Sequence, residues 1–90
     1  MLRIAKLTDY ATLLMVRLAR QPAHCFSAPQ LADELRLPLP TVAKLLKRLA
    51  QARLLTSVRG ASGGYALALA PHAISVADVV NQDWDTFLRA

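Results

Sequence analysis

The side chains best equipped for chemistry in this sequence are basic. Lys44, Lys47 and Arg48 recur at intervals of three and four residues, the spacing that gathers side chains on one side of a helix. Thr41 falls on the same side and adds a hydroxyl, and Pro40 stands just before it. Groups of this kind bind phosphate oxygens, and in the N-terminal half of a helix they also reach base edges in a major groove. Thr41 and Lys44 are therefore placed for bases or nearby phosphates, and Lys47 and Arg48 for phosphates. Arg59 precedes Gly60-Ala61-Ser62-Gly63-Gly64 and Tyr65. A guanidinium there can enter a narrow minor groove, and the backbone N–H groups of Ser62, Gly63 and Gly64 are candidate phosphate donors. The plain alternative for Arg59 is an exposed arginine at a strand end.

Other chemistry has little to work with. His24 and His72 are single histidines in connecting segments, without a second ligand at metal spacing, and read as solvated. Cys25 is the only cysteine, which excludes an internal disulfide and a site made of cysteines alone; it reads as a buried or loop thiol. No Ser-His-Asp or Cys-His pattern occurs and the acids are not paired for general acid–base work, so an enzyme is not expected.

The charge distribution points the same way. The chain has 90 residues and a net charge of +5, with six acidic residues. They are Asp9, Asp33 and Glu34 early, and Asp78, Asp83 and Asp85 late. From Arg36 to Ala77 every charged residue is basic: Arg36, Lys44, Lys47, Arg48, Arg53 and Arg59. That is an electrostatic footprint for a polyanion, although a solvated basic face would give the same count. A hydrophobic content of 54% closes a modest single core without metal or disulfide. Arg3 and Lys6 interrupt the apolar start, so no signal sequence is expected, and no apolar run approaches the 20 or so residues of a membrane span. A cytoplasmic protein is the expectation.

The elements that must position these groups follow from caps and periodicity. Thr8 predicts an N-cap, with a first helix from Asp9 to Arg20 whose apolar residues Tyr10, Leu13, Leu14, Met15, Val16 and Leu18 suggest burial on two sides, one facing a partner subunit. Ser27 and Gln30 form a capping-box pattern that opens a second helix to about Leu35, with Leu31 and Leu35 pointing inward. Arg36-Leu37-Pro38-Leu39-Pro40 breaks the chain, and Pro40 suits the first turn of a third helix. There Val42, Leu45, Leu46 and Leu49 make one apolar stripe, opposite Thr41, Lys44, Lys47, Arg48 and Gln51. Leu54–Arg59 and Tyr65–Leu69 read as the strands of a hairpin whose tip is the glycine-rich run. Ile74-Ser75-Val76-Ala77-Asp78 predicts a short fourth helix, and Trp84, Phe87 and Leu88 share one side of any helical turns beyond it. The order is a mainly α fold with a small β-hairpin, a winged helix-turn-helix. Residues 1–80 form the domain, and 81–90 form a short tail.

The segments Lys-Leu-Thr-Asp-Tyr-Ala at 6–11, Pro-Thr-Val-Ala-Lys-Leu-Leu-Lys-Arg-Leu at 40–49 and Ser-Val-Arg-Gly-Ala-Ser-Gly-Gly-Tyr at 57–65 together resemble the IscR-type winged-helix regulators. The first two look most like the branch that regulates SUF iron–sulfur cluster assembly. The resemblance runs to Ile-Ser-Val-Ala-Asp-Val-Val at 74–80. It implies a homodimer on a roughly palindromic double-stranded DNA operator, with the helix at Pro40–Leu49 in the major groove and Arg59 at the minor groove. Members that sense iron–sulfur status hold a cluster through cysteines beyond the fourth helix. Asn81–Ala90 has none and Cys25 is not at a matching place, so no cofactor is carried over. Without the long pairing helix of such members, a smaller dimer interface would fall to helix one and to Trp84, Phe87 and Leu88. The reading is a sequence-specific, repressor-like transcription regulator that touches DNA through Pro40, Thr41, Lys44, Lys47, Arg48, Arg59, Ser62, Gly63, Gly64 and Tyr65. The competing reading is a protein-interaction module, or a partner of a full-length relative, that keeps the scaffold without specific DNA binding.

Overall fold

The computed structural model describes residues 4–60, 63–68 and 70, the side chains of residues 4 and 5 aside. Three helices, α1 (Ile4–Ala19), α2 (Ala28–Leu35) and α3 (Leu39–Gln51), precede a hairpin of β1 (Leu55–Val58) and β2 (Gly64–Leu67). The expected fourth helix, the residue 81–90 tail, and Ala61, Ser62, Leu69 and His72 lie outside the described residues.

The first helix departs from expectation. It starts at Ile4, so Thr8 is an interior residue whose carbonyl accepts the Thr12 hydroxyl at 2.8 Å, and Asp9 lies beyond the first turn. Nothing from Ile4 to Leu7 breaks a helix. Extending it carries Leu7 into the same buried stripe as Ala11, Leu14, Met15 and Leu18. Burial of a leucine, about 2 kcal/mol, outweighs a threonine cap worth about 1 kcal/mol. The other side of the helix is open: Leu13 is 48% and Val16 50% exposed in the single chain.

The helix-turn-helix pair follows its sequence signals. Ser27 caps α2 by accepting the Gln30 backbone N–H at 3.2 Å. Leu31 is fully buried and Leu35 half-buried. The helix ends in two reverse bonds, Arg36 N–H to the Asp33 carbonyl at 3.4 Å and Leu37 N–H to the Ala32 carbonyl at 3.0 Å. This Schellman closure needs a left-handed residue, and Arg36 takes that role at φ 55°. Pro38 then precedes α3, with Pro40 in its first turn. Val42, Leu45, Leu46 and Leu49 are all fully buried and form the centre of the core with Leu14, Leu18, Phe26 and Leu31.

α3 ends in a second Schellman closure, Arg53 N–H to Ala50 and Leu54 N–H to Leu49, both at 3.0 Å, with Arg53 at φ 66°. The chain passes directly into the antiparallel hairpin, paired Leu55 with Leu67, Thr56 with Ala66, Ser57 with Tyr65 and Val58 with Gly64. The strands are shorter than the expected spans, and Gly64 belongs to β2 rather than to the tip. Only Leu55 of β1 is buried, while every residue of β2 is half-buried.

A third strand-like contact had no counterpart in the sequence reading. Phe26, in the connection before α2, pairs with Tyr65 through two backbone bonds, Phe26 N–H to Tyr65 at 2.8 Å and Tyr65 N–H to Phe26 at 2.7 Å. It ties the base of the hairpin to the start of the helix pair.

Candidate nucleic-acid interface

α3 sorts its residues by chemistry. Pro40, Lys44, Lys47 and Gln51 are exposed along one line of the helix, opposite the buried leucine stripe, and Thr41 and Arg48 lie half-buried at its flank. Burial of the four apolar residues therefore fixes which way Lys44 and Lys47 face. Arg48 lies against the protein, with its Nε buried and without a hydrogen-bond partner among the described residues. At 13 residues the helix is about 20 Å long, enough to cross a major groove about 12 Å wide at an angle.

The acidic residues sit elsewhere. Asp9 is on α1, and Asp33 and Glu34 are on α2; among the described residues α3 and the hairpin carry only positive charge. Glu34 is moreover engaged, its carboxylate accepting Arg17 Nε at 2.8 Å. Arg17 also donates to the Gln21 side chain at 3.0 Å and lies over the Phe26 ring at 4.6 Å from its centroid. His24 is exposed as expected, yet its ring packs edge-on against Phe26 with centroids 4.5 Å apart. This cluster braces α1, α2 and the Phe26 segment behind the basic helix. Phe26 could have been found beforehand, as an aromatic residue immediately preceding a serine cap, the position of a hydrophobic staple. The partners of Arg17 could not.

On the hairpin, Arg59 and Gly60 are exposed just beyond β1. Two of the expected phosphate donors are reassigned. The Gly63 N–H donates to the Gly60 carbonyl at 2.9 Å, across the tip. Both backbone groups of Tyr65 face Phe26, and Ala68 N–H donates to Leu54 at 3.1 Å. Antiparallel ladders alternate, so the Gly64 N–H faces the Val58 carbonyl. Both glycines are required for space instead. A Cβ on Gly64 would overlap the Phe26 carbonyl oxygen, and one on Gly63 would stand 2.5 Å from the Val58 carbonyl oxygen. Tyr65 is half-buried against the core and serves as the joint of the hairpin. Ser62 lies outside the described residues. The structure thus exposes Pro40, Lys44 and Lys47 on one helix and Arg59 on the wing, with Thr41 and Arg48 half-buried beside the helix line.

The family model for Rrf2, an iron-dependent transcriptional regulator, matches residues 4–82. The chain belongs to the Rrf2 family. Its relatives in that family include the HTH-type transcriptional regulator BadM of Rhodopseudomonas palustris, 36% identical over 97% of this chain and 56% of BadM. The HTH-type regulator NsrR of Shouchella clausii is 33% identical over 93% of this chain and 57% of NsrR. Among solved structures, CymR, the global cysteine regulator of B. subtilis, superposes with a TM-score of 0.81 at 32% identity, covering 89% of this chain and 63% of that one. IscR of T. potens gives 0.82 at 32%, covering 91% and 61%. The winged-helix fold is thereby common to this chain and to Rrf2 regulators, and the chain spans a little over half the length of the curated relatives it matches. Similar identities to several different regulators establish the family without selecting the SUF branch.

Proposed function

We propose that this chain is the DNA-reading unit of an Rrf2 transcription regulator, with α3 in the major groove and the wing bearing Arg59 at the minor groove. The observation that carries the reading is the partition of α3: four fully buried apolar residues on one side, exposed Lys44 and Lys47 on the other, and no acid on that helix. An ordinary amphipathic surface helix mixes both signs of charge. Relatives named as HTH-type transcriptional regulators support the same role. The regulator is proposed to be repressor-like and cytoplasmic and to act as a homodimer. The exposed Leu13 and Val16 of α1 give it apolar surface to pair through. Among the described residues no helix is long and apolar enough to cross a membrane.

The family description invokes iron. Among the described residues no three His, Cys, Asp or Glu side chains come together around a metal position, and Cys25 is the sequence's one thiol. That donor set does not fit an iron–sulfur cluster held by this segment, and DNA contact as proposed involves none.

The test is a salt titration of the chain against random duplex DNA, with sequencing of the bound fraction. Affinity should fall steeply with salt and a motif should be enriched, two-fold for a dimer and a single half-site for a monomer. Lys47→Ala should weaken all sequences alike and lower the log–log salt slope by about one, Lys44→Ala should alter base preference, and Arg59→Ala should hurt A/T-rich flanks most. Salt-insensitive binding, or none, would overturn the reading in favour of a protein-interaction module.

A further inference from the structure

Only two non-glycine residues among those described adopt positive φ, and both are arginines: Arg36 at 55° and Arg53 at 66°. Each occupies the left-handed position of a Schellman closure, Arg36 after α2 and Arg53 after α3. Glycine fits that position without strain and asparagine offsets the strain by local hydrogen bonding, whereas an arginine bears the full cost of a Cβ close to the following carbonyl. Neither site demands a side chain for packing, since both residues are exposed. Among the described residues neither side chain makes a hydrogen bond or a salt bridge, in contrast to Arg17. A cation at a helix C-terminus gains something from the helix dipole, but a lysine or arginine elsewhere in the last turn gains the same without left-handed backbone.

Their placement suggests what the side chains are for. Arg36 lies three residues before α3 begins and Arg53 two residues after it ends, so they bracket the helix assigned to the groove. That helix is about 20 Å long, against a major groove about 12 Å wide, which brings its two ends to the phosphate ridges on either side. In helix-turn-helix complexes the C-terminal end of the reading helix contacts the backbone and the helix before it crosses the backbone; Arg53 stands at the first of these places and Arg36 at the end of the second.

We propose that Arg36 and Arg53 form a phosphate clamp: one guanidinium at each end of α3 grips the sugar–phosphate backbone at the two edges of the major groove and holds Lys44 and Lys47 in register. The clamp rests on the DNA-binding reading above. It adds two contacts outside the set legible from helix periodicity.

The experiment compares Arg36→Gly, Arg53→Gly, Arg36→Asn and Arg53→Asn with Lys47→Ala as reference, measuring thermal midpoint and DNA affinity across a salt series. Glycine and asparagine suit the left-handed backbone, so the midpoint should stay level or rise while affinity falls several-fold on every sequence. The log–log salt slope should drop by about one per arginine removed. Arg36→Lys and Arg53→Lys, which keep the charge, should retain most of the slope. Wild-type affinity and slope in the glycine and asparagine variants, alongside a loss in Lys47→Ala, would overturn the clamp alone. Affinity loss that merely follows a fall in thermal midpoint would assign both arginines to helix termination and also overturn it. Absence of salt-dependent binding in the unsubstituted chain would overturn the DNA reading and the clamp together.

Discussion

Gly64→Ala tests how the wing is fastened to the helices. A Cβ at this position meets three backbone atoms: the Phe26 carbonyl oxygen, which it overlaps, the Phe26 carbonyl carbon at 2.5 Å and Ser27 N at 2.9 Å. None can rotate away as a side-chain end could. Reaching ordinary contact requires the two backbones to part by roughly 1 Å, and the bonds between Phe26 and Tyr65, now 2.8 and 2.7 Å, would lengthen beyond hydrogen-bonding range. Two backbone bonds are worth about 1 kcal/mol each net. Displacing Phe26, which is fully buried, adds packing loss. The expected destabilisation is about 2–4 kcal/mol, a large share of the stability of a small domain. By size scaling this corresponds to a thermal midpoint lower by roughly 10–25 °C. Urea unfolding followed by far-ultraviolet circular dichroism measures it, with an unchanged m-value showing that the shift in midpoint is a change in stability. Gly60→Ala is the control. Its Cβ meets nothing within 4 Å, so only the strain of φ +121° acts, about 1–3 kcal/mol. A Gly64→Ala protein within about 0.5 kcal/mol of the parent would refute the argument that the wing is anchored through backbone contact at Phe26.

Two further perturbations probe the scaffold behind the basic helix. Ser27→Ala removes the oxygen that accepts the Gln30 N–H, and should lower unfolding free energy by about 1 kcal/mol in urea titration, with Ser27→Asp largely restoring it. Arg17→Ala should cost more than Glu34→Gln: the Arg17–Glu34 pair is partly exposed and its coupling in a double-mutant cycle should be about 0.5 kcal/mol and fade with salt, whereas Arg17 also covers Phe26 and binds Gln21. Equal losses would deny the contact with Phe26 any weight.

The sequence determined a good deal by itself. Period and caps located α2 and α3 because the signals are local: Ser27 three residues before Gln30, Pro40 in the first turn of α3, and one apolar stripe on α3 that burial could satisfy in only one orientation. The same stripe fixed Lys44 and Lys47 outward, so the basic face of α3 was legible in the sequence. Three glycines beside Arg59 likewise marked the hairpin tip. Tertiary structure decided the rest. Whether α1 begins at a threonine cap or a turn earlier depends on Leu7 finding a core to enter, which is not a local property. Whether Gly63 and Gly64 offer free N–H groups depends on how the tip closes to set Gly60 and Val58 opposite them, and the lack of room for a side chain at Gly64 comes from Phe26, 38 residues away in the chain. The left-handed arginines belong to the same class. Nothing in an arginine announces positive φ; only the closure of two helices onto one core, with Leu37 and Leu54 pulled inward immediately after them, forces Arg36 and Arg53 to turn the chain and leaves their charges at the two ends of α3.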